Sequence, residues 1–226
     1  MTYIVGDIHE VIKEIEDNSI SLIYTNPPFG TTNKDWDKPL KWNLLFPEMF
    51  RILKDDGVIC LHCSTPFTYD LIRHKKPNYH YVWCKARPTN HLNAKKQPLR
   101  NMEEVLVYYK NPKHTYNIQM KGDKITKSKR ENKNHSGYYK AQKAYESEHK
   151  GNYPTTFLGV FKSVSQSDSP KSVPDLLTKY IMLTYSNKND VILDMTCCDM
   201  NNGNIATDLE RDYIGIDKSD DYFYKK

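Results

Sequence analysis

Asn26-Pro27-Pro28-Phe29 stands directly after Ser21-Leu22-Ile23-Tyr24, a short apolar run that reads as a buried strand. Two prolines forbid both helix and ladder pairing, so the tetrapeptide is expected as a stiff loop at the strand's carboxyl end. It offers two acceptors held in place in advance, the Asn26 side-chain carbonyl and the Pro27 backbone carbonyl, beside the ring of Phe29. Three aspartates occupy comparable places. Asp194 closes Val191-Ile192-Leu193, Asp217 closes Tyr213-Ile214-Gly215-Ile216, and Asp7 follows Tyr3-Ile4-Val5-Gly6. An acid at a strand end can accept both hydroxyls of a ribose; it can also simply cap a turn. Cys60-Leu61-His62-Cys63 has the spacing of half a zinc site, but no second pair accompanies it. Cys60 lies in the apolar run Val58-Ile59-Cys60-Leu61, so a structural thiol and no metal are expected.

These residues need elements to position them. Val11, Ile12 and Ile15 share one face of a helix over His9 to Glu16. Leu40 to Leu53 reads as a second helix, with Gly57 as its C-terminal cap, followed by a strand from Val58 to Leu61. Ser64 is a candidate cap for a short helix over Pro66 to Arg73. Tyr79 to Cys84 and Val105 to Tyr109 read as strands flanking a loop from Arg87 to Arg100. The polar stretch Lys113 to Lys150 is weakly periodic and is expected to be an insertion, partly helical near Tyr138 to Glu148. Phe157 to Phe161 reads as a strand, Ser163 to Ser172 as a loop, and Pro174 to Tyr185 as a helix. A further helix is expected around Ile205 to Leu209, between the strands that end at Asp194 and Asp217. Strands alternating with helices argue for an α/β fold with a largely parallel sheet, whose ligands sit at the carboxyl ends of the strands.

The 226 residues suffice for one substantial α/β domain. No apolar run approaches a membrane span, and Met1-Thr2-Tyr3-Ile4-Val5 does not read as a signal peptide, so a soluble cytoplasmic protein is expected. The net charge of +5 conceals an asymmetry. Leu71 to Met102 carries eight Lys/Arg and no acid; Lys113 to Lys150 carries ten against four acids. Together they hold +14, leaving −9 on the rest. A basic middle on an acidic body is an electrostatic footprint for a polyanion, although a lysine-rich solvated loop gives the same balance.

The chain resembles the DNA amino-methyltransferases of the beta group, whose catalytic motif is Asp, Asn or Ser followed by Pro-Pro and an aromatic. Asn26-Pro27-Pro28-Phe29 matches it, and the strands ending at Asp194 and Asp217 follow it, which is that group's permuted order. Gly6-Asp7 through Asp17-Asn18-Ser19 resembles the family's opening, and Thr31-Thr32 with Lys34-Asp35-Trp36-Asp37 the stretch after its motif in phage-type adenine methylases. His91-Leu92-Asn93-Ala94-Lys95-Lys96-Gln97-Pro98-Leu99-Arg100 with Glu103, and Gly151-Asn152-Tyr153-Pro154-Thr155, resemble two further segments of the same enzymes. The chain departs from the family in the loop Asp194-Met195-Thr196-Cys197-Cys198-Asp199-Met200-Asn201-Asn202-Gly203, where Cys198 and Met200 replace the first two glycines. It also departs at Ser167 to Pro174, before the helix that follows.

The resemblance implies a permuted Rossmann-like, seven-stranded and mostly parallel sheet with helices on both faces, and a small basic target-recognition insertion over residues 111–152. It implies S-adenosylmethionine as cofactor, held by Asp7, Asp194, Thr196 and Asp217, and double-stranded DNA as partner, with a homodimer open. Lys95, Lys96 and Arg100 are the implied DNA contacts, to phosphates. The exocyclic amine of a flipped base is a poor nucleophile because its lone pair is delocalised. Acceptors at Asn26 and Pro27 would hold its hydrogens and favour a tetrahedral nitrogen, Pro28 would stiffen the loop, and Phe29 would stack on the base. Asn26 and its flanks favour adenine N6 over cytosine N4. A fold that binds DNA without catalysis, and a methyltransferase acting on RNA, are the rivals. Carbon methylation at cytosine C5 needs a cysteine after a proline, and none is present.

Overall fold

In the computed structural model, residues 1–130, 144–162, 173–199 and 201–221 are described. Expectations for 163–172, for Met200 and for the start of the Tyr138–Glu148 helix lie outside them. The chain divides into two compact units, one of Met1–Asn117 with Thr156–Lys226, the other of Ile118–Thr155.

The first unit runs β1 (Thr2–Val5), α1 (Ile8–Glu14), β2 (Ile20–Thr25), α2 (Trp42–Ile52), β3 (Leu53–Cys63), α3 (Phe67–His74) and β4 (Tyr79–Thr89). A 3-10 turn, His91–Asn93, leads to β5 (Arg100–Tyr109). The second unit holds β6 (Lys121–Arg130) and β7 (Tyr145–Asn152). The first unit then resumes with β8 (Phe157–Phe161), α4 (Asp175–Tyr185), β9 (Val191–Asp194), α5 (Asn201–Asp208) and β10 (Asp212–Asp217). Among the described residues the main sheet has eight strands, where seven were expected, in the order β1-β10-β9-β2-β3-β5-β4-β8. All its neighbours pair parallel except β5, which is antiparallel to both β3 and β4. The additional count reflects short outer strands: β1 has four residues and β8 five, both closing edges of the sheet.

Alternation along the strands builds two cores, because successive side chains point to opposite faces. Ile23, Ile59, Leu61, Leu193 and Ile216 pack under α1, α2 and α3, against Ile12, Trp42, Met49, Phe67 and Leu71. Leu22, Tyr24, Val58, Cys60, Ile192 and Tyr213 pack under α4 and α5, against Leu177, Ile181, Tyr185 and Ala206. The same alternation separates the Cys60-x-x-Cys63 pair. Cys60 joins the second core and Cys63 the first, so the two thiols face opposite sides of the sheet and cannot converge on one ion.

Three local expectations are corrected. Gly57 caps nothing: α2 ends at Ile52, and Gly57 lies inside β3, where a Cβ would meet the Leu53 side chain at 2.8 Å and the Ser21 carbonyl at 3.0 Å. Close strand packing, not a left-handed turn, accounts for this glycine. Ser64 makes no side-chain cap for α3; its carbonyl accepts from the Thr68 amide. Residues 145–148 are strand, not helix, because they pair with β6 from Arg130↔Tyr145 to Lys127↔Glu148. Hairpin partners there override a weak helical pattern. The second unit itself begins and ends a few residues later than the 111–152 segment.

Candidate active site

Four parallel strands in adjacent order, β1, β10, β9 and β2, end at one edge of the sheet. Asp7 follows β1, Asp217 ends β10, Asp194 ends β9, and Asn26 follows β2. The pairing of Leu22 with Ile192 and Ile23 with Leu193 joins β2 and β9 across most of the chain length. Just past it the Thr25 and Thr196 hydroxyls hydrogen-bond at 2.8 Å. The Asn26 loop and the loop after Asp194 are thus tied together at their roots.

The loop after β2 is built as its prolines require. Pro27 is buried, and Asn26, Pro28 and Phe29 are half-buried. Phe29 stacks on Phe67 of α3, with centroids 5.1 Å apart and planes 20° apart. Trp42 backs Phe67 at 5.9 Å. Beyond Phe29 the chain turns at Gly30, whose φ of +66° and close approach to Pro39 exclude a side chain. The buried carboxylate of Asp37 then gathers the amides of Gly30, Thr31 and Thr32 at 2.9, 3.0 and 2.7 Å. Burial pushes this carboxyl up, but the Thr32 side chain and the amides outweigh it, and the net direction is down.

Asp194 is almost fully buried and holds its loop from within. Its carboxylate accepts from the Asn202 side-chain amide at 2.9 Å, the Tyr213 hydroxyl at 3.2 Å and the Thr196 amide at 3.3 Å. Burial pushes its carboxyl up to about 6. Asp217 lies half-exposed beside it and accepts from the Cys198 amide at 2.9 Å and the Ser219 amide at 3.3 Å. Cys198 sits at φ 58°, the left-handed conformation that a glycine would take without strain. The loop keeps a glycine-like backbone although the residue there is cysteine.

Asp7 caps α1 through the His9 amide at 3.0 Å and also meets the His9 ring at 2.8 Å and Lys218 at 2.9 Å. The Lys218 ammonium and then His9 hold its carboxyl well below the usual carboxylate range. His9 has a defined tautomer. Its Nε2 accepts the Lys41 amide proton at 3.0 Å, so the neutral ring carries its proton on Nδ1, facing Asp7.

The three cations proposed from sequence sit elsewhere on the same edge. β4 runs parallel to β3, since each is antiparallel to β5, so the β4–β5 connection emerges at the carboxyl edge. Lys95 and Lys96 are exposed in that connection, and Arg100 opens β5 opposite Thr89. They do not touch the aspartates; three strand spacings separate β4 from β2.

A family model described as DNA methylase matches residues 20–225. The chain belongs to this N6/N4 DNA methylase family. Among its relatives is the DNA adenine methyltransferase YhdJ of Escherichia coli K12, 29% identical over 244 residues, covering 98% of this chain and 79% of the relative. Among solved structures, the cytosine-N4-specific PvuII DNA methyltransferase superposes with a TM-score of 0.68 at 14% identity, over 97% of this chain and 82% of that one. The M1.HpyAVI–SAM complex does so at 0.60 and 18%, over 99% and 95%. At these identities the two structures establish the methylase's fold.

Sequence reading overlooked several residues of this site. Asp37, Phe67, His9, Asn202 and Tyr213 act on the loops rather than in a motif, and their partners lie 2 to 38 residues away in the chain. Asp37 had only an ambiguous local signal: two acids, Asp35 and Asp37, follow a Gly-Thr-Thr turn whose amides lack ladder partners, and the sequence does not say which of them turns back.

Proposed function

We propose that this methylase transfers a methyl group from S-adenosylmethionine to N6 of adenine in DNA. The observation that carries the reading is the Asn26-Pro27-Pro28-Phe29 loop rooted against the Asp194 loop through Thr25 and Thr196. The residues fit the cofactor. The Cys198 backbone folds back at φ 58° onto Asp217, which leaves that carboxylate spare lone pairs at the rim for ribose hydroxyls. Asp7, kept ionised by Lys218 and His9, is an acceptor for an adenine amine. Asp194 supports the loop through Asn202 and Thr196 and is too buried to meet a ligand, so its part is positioning.

When bound, S-adenosylmethionine supplies an activated methyl on a sulfonium. The chain's own residues prepare the amine. The Asn26 carbonyl and the Pro27 carbonyl accept its two hydrogens, drawing the nitrogen toward tetrahedral geometry. Phe29, backed by Phe67, presents a flat face for the base. The proton displaced on methylation leaves along the Asn26 hydrogen bond toward water.

Lys95, Lys96 and Arg100 provide phosphate contacts, which set register without reading bases. The second unit, with nine Lys/Arg against four acids, serves as the target-recognition element. Its ion pairs Lys127–Glu148, Lys129–Glu146 and Lys150–Asp123 are exposed and weak, so the lysines remain available to phosphates.

Adenine is favoured by Asn26 with its flanks and by the sequence relative named as an adenine enzyme. The test is incubation of unmethylated DNA with methyl-labelled S-adenosylmethionine, followed by nucleoside analysis. Label in N6-methyladenine is expected. Label in N4-methylcytosine would replace the base assignment, and unlabelled DNA would sink the enzymatic reading.

A further inference from the structure

Leu92 is completely exposed, at 101%. A lone surface leucine needs no explanation by itself, but its setting is unusual. Leu92 is the middle residue of the 3-10 turn His91–Asn93, at the tip of the β4–β5 hairpin. Past the level where β3 stops, at Cys63 opposite Glu104, β4 continues for seven residues from Val82 to Thr89. The register is irregular between Cys84 and Thr89, and β5 covers the same stretch in only four residues, Glu103 to Arg100, so at ~3.3 Å per residue the Thr89–Arg100 pair stands roughly 13 Å beyond the rim.

The tip is held rigid. Asn90 takes the left-handed conformation at φ 72°, and its side chain accepts from the Asn93 side-chain amide at 2.7 Å. The His91 ring meets the Pro88 carbonyl at 2.9 Å. Amides of Asn93, Ala94 and Lys96 donate back to the carbonyls of Asn90, His91 and Asn93. The structure therefore presents this leucine to solvent on a braced turn. The flanks are cationic: Arg87, Lys95, Lys96 and Arg100 lie on either side of it in the same hairpin, and no acid occurs from Leu71 to Met102.

The geometry points to Leu92 as a wedge that enters the DNA stack and fills the gap left by the extruded target base. This rests on the base-methylating reading above. Removing a base from a duplex leaves an apolar hole between two base pairs, and apolar side chains of this size are suited to fill such gaps. Lys95, Lys96 and Arg100 seat the hairpin on the phosphates beside the hole. The hairpin emerges at the same edge as Asn26, three strand spacings away, or ~14 Å. Wedge and pocket therefore meet a duplex laid along that edge from the same side, as filling the hole behind a base that swings into the pocket requires.

The experiment uses the full chain and duplexes carrying the sequence that the wild type methylates, fully paired or with the target base mispaired, and with 2-aminopurine beside the target. Leu92→Ala removes an exposed side chain and leaves the core untouched. It is expected to slow methylation of the paired duplex about tenfold, as loss of one buried leucine side chain would. It is also expected to blunt the 2-aminopurine rise, while duplex binding stays near wild type and Leu92→Met retains the rate. Mispairing the target, which makes extrusion easy, should restore the Leu92→Ala rate toward wild type. An unchanged rate on the paired duplex overturns the wedge, and so does a slow rate that mispairing fails to rescue. A Leu92→Ala chain that falls from dimer to monomer by light scattering assigns the leucine to a second copy instead. A wild type that methylates no DNA fails the underlying reading, which separates that outcome from the others.

Discussion

Asp37 should govern whether the Asn26 loop keeps its shape. Its carboxylate is buried and takes three amide protons, Gly30 on Oδ1 and Thr31 with Thr32 on Oδ2. Hydrogen bonds to a charged group contribute about 1.5–3 kcal/mol each. The freed amides belong to exposed residues and regain water, so Asp37→Ala should cost about 2–4 kcal/mol in closing this loop. That is roughly a 30- to 1,000-fold shift toward the open loop. Asp37→Asn is no conservative change. Whichever way its amide turns, its NH2 group faces at least one backbone donor. Hydrogen exchange at the amides of Gly30 to Thr32 reads the effect directly, and both variants should lose protection there while the sheet amides of β2 and β3 keep theirs. The pH dependence has a definite sense. The folded-state carboxyl lies below its ordinary value, so its stabilisation is present above about pH 4 and is lost as pH falls through the folded value. Wild type and Asp37→Ala should therefore converge in acid. Equal protection in Asp37→Ala at neutral pH, or wild-type behaviour of Asp37→Asn, would refute the anchoring role.

Asn26→Ala should abolish methylation while thermal unfolding and DNA binding stay near wild type; more than about a tenth of the wild-type rate, a loss under ~1.4 kcal/mol, would remove Asn26 as a main transition-state contact. Cys198→Gly should stabilise the fold against urea by about 0.5–1 kcal/mol, the left-handed penalty of a cysteine less the greater chain entropy of glycine. Because the fold itself already holds Cys198 at φ 58°, the strain is not created by cofactor binding, and calorimetry should find little change in affinity. A variant no more stable than wild type would show that the backbone there is unstrained. DNA affinity should fall steeply with salt, with a log–log slope near −0.9 per phosphate neutralised. Charge reversal at Lys95 and Lys96 should flatten that slope, and an unaltered slope would exclude them.

The sequence by itself determined the class of fold and the edge where the candidate site lies. Apolar runs ending in Asn26, Asp194 and Asp217 place those residues at strand termini whatever the sheet order, because strand ends follow from local pattern. It also determined the stiff Pro27-Pro28 turn, since proline's restriction is intrinsic. The faces of Cys60 and Cys63 were already implicit in a spacing of three along a strand, once the strand was known to extend to Cys63. Tertiary structure decided what depends on partners. The extent of β3, which absorbs Gly57, depends on its pairing with β2 and β5. Residues 145–148 become a strand only because β6 lies opposite. The exposure of Leu92 follows from how far β4 and β5 outrun β3, and no local pattern encodes that length. Asp194 shows the division most clearly: its place at a strand end was legible, but its part was not. Burial and the donors Asn202, Thr196 and Tyr213 turn its carboxylate inward, and only the packed sheet brings those donors within reach.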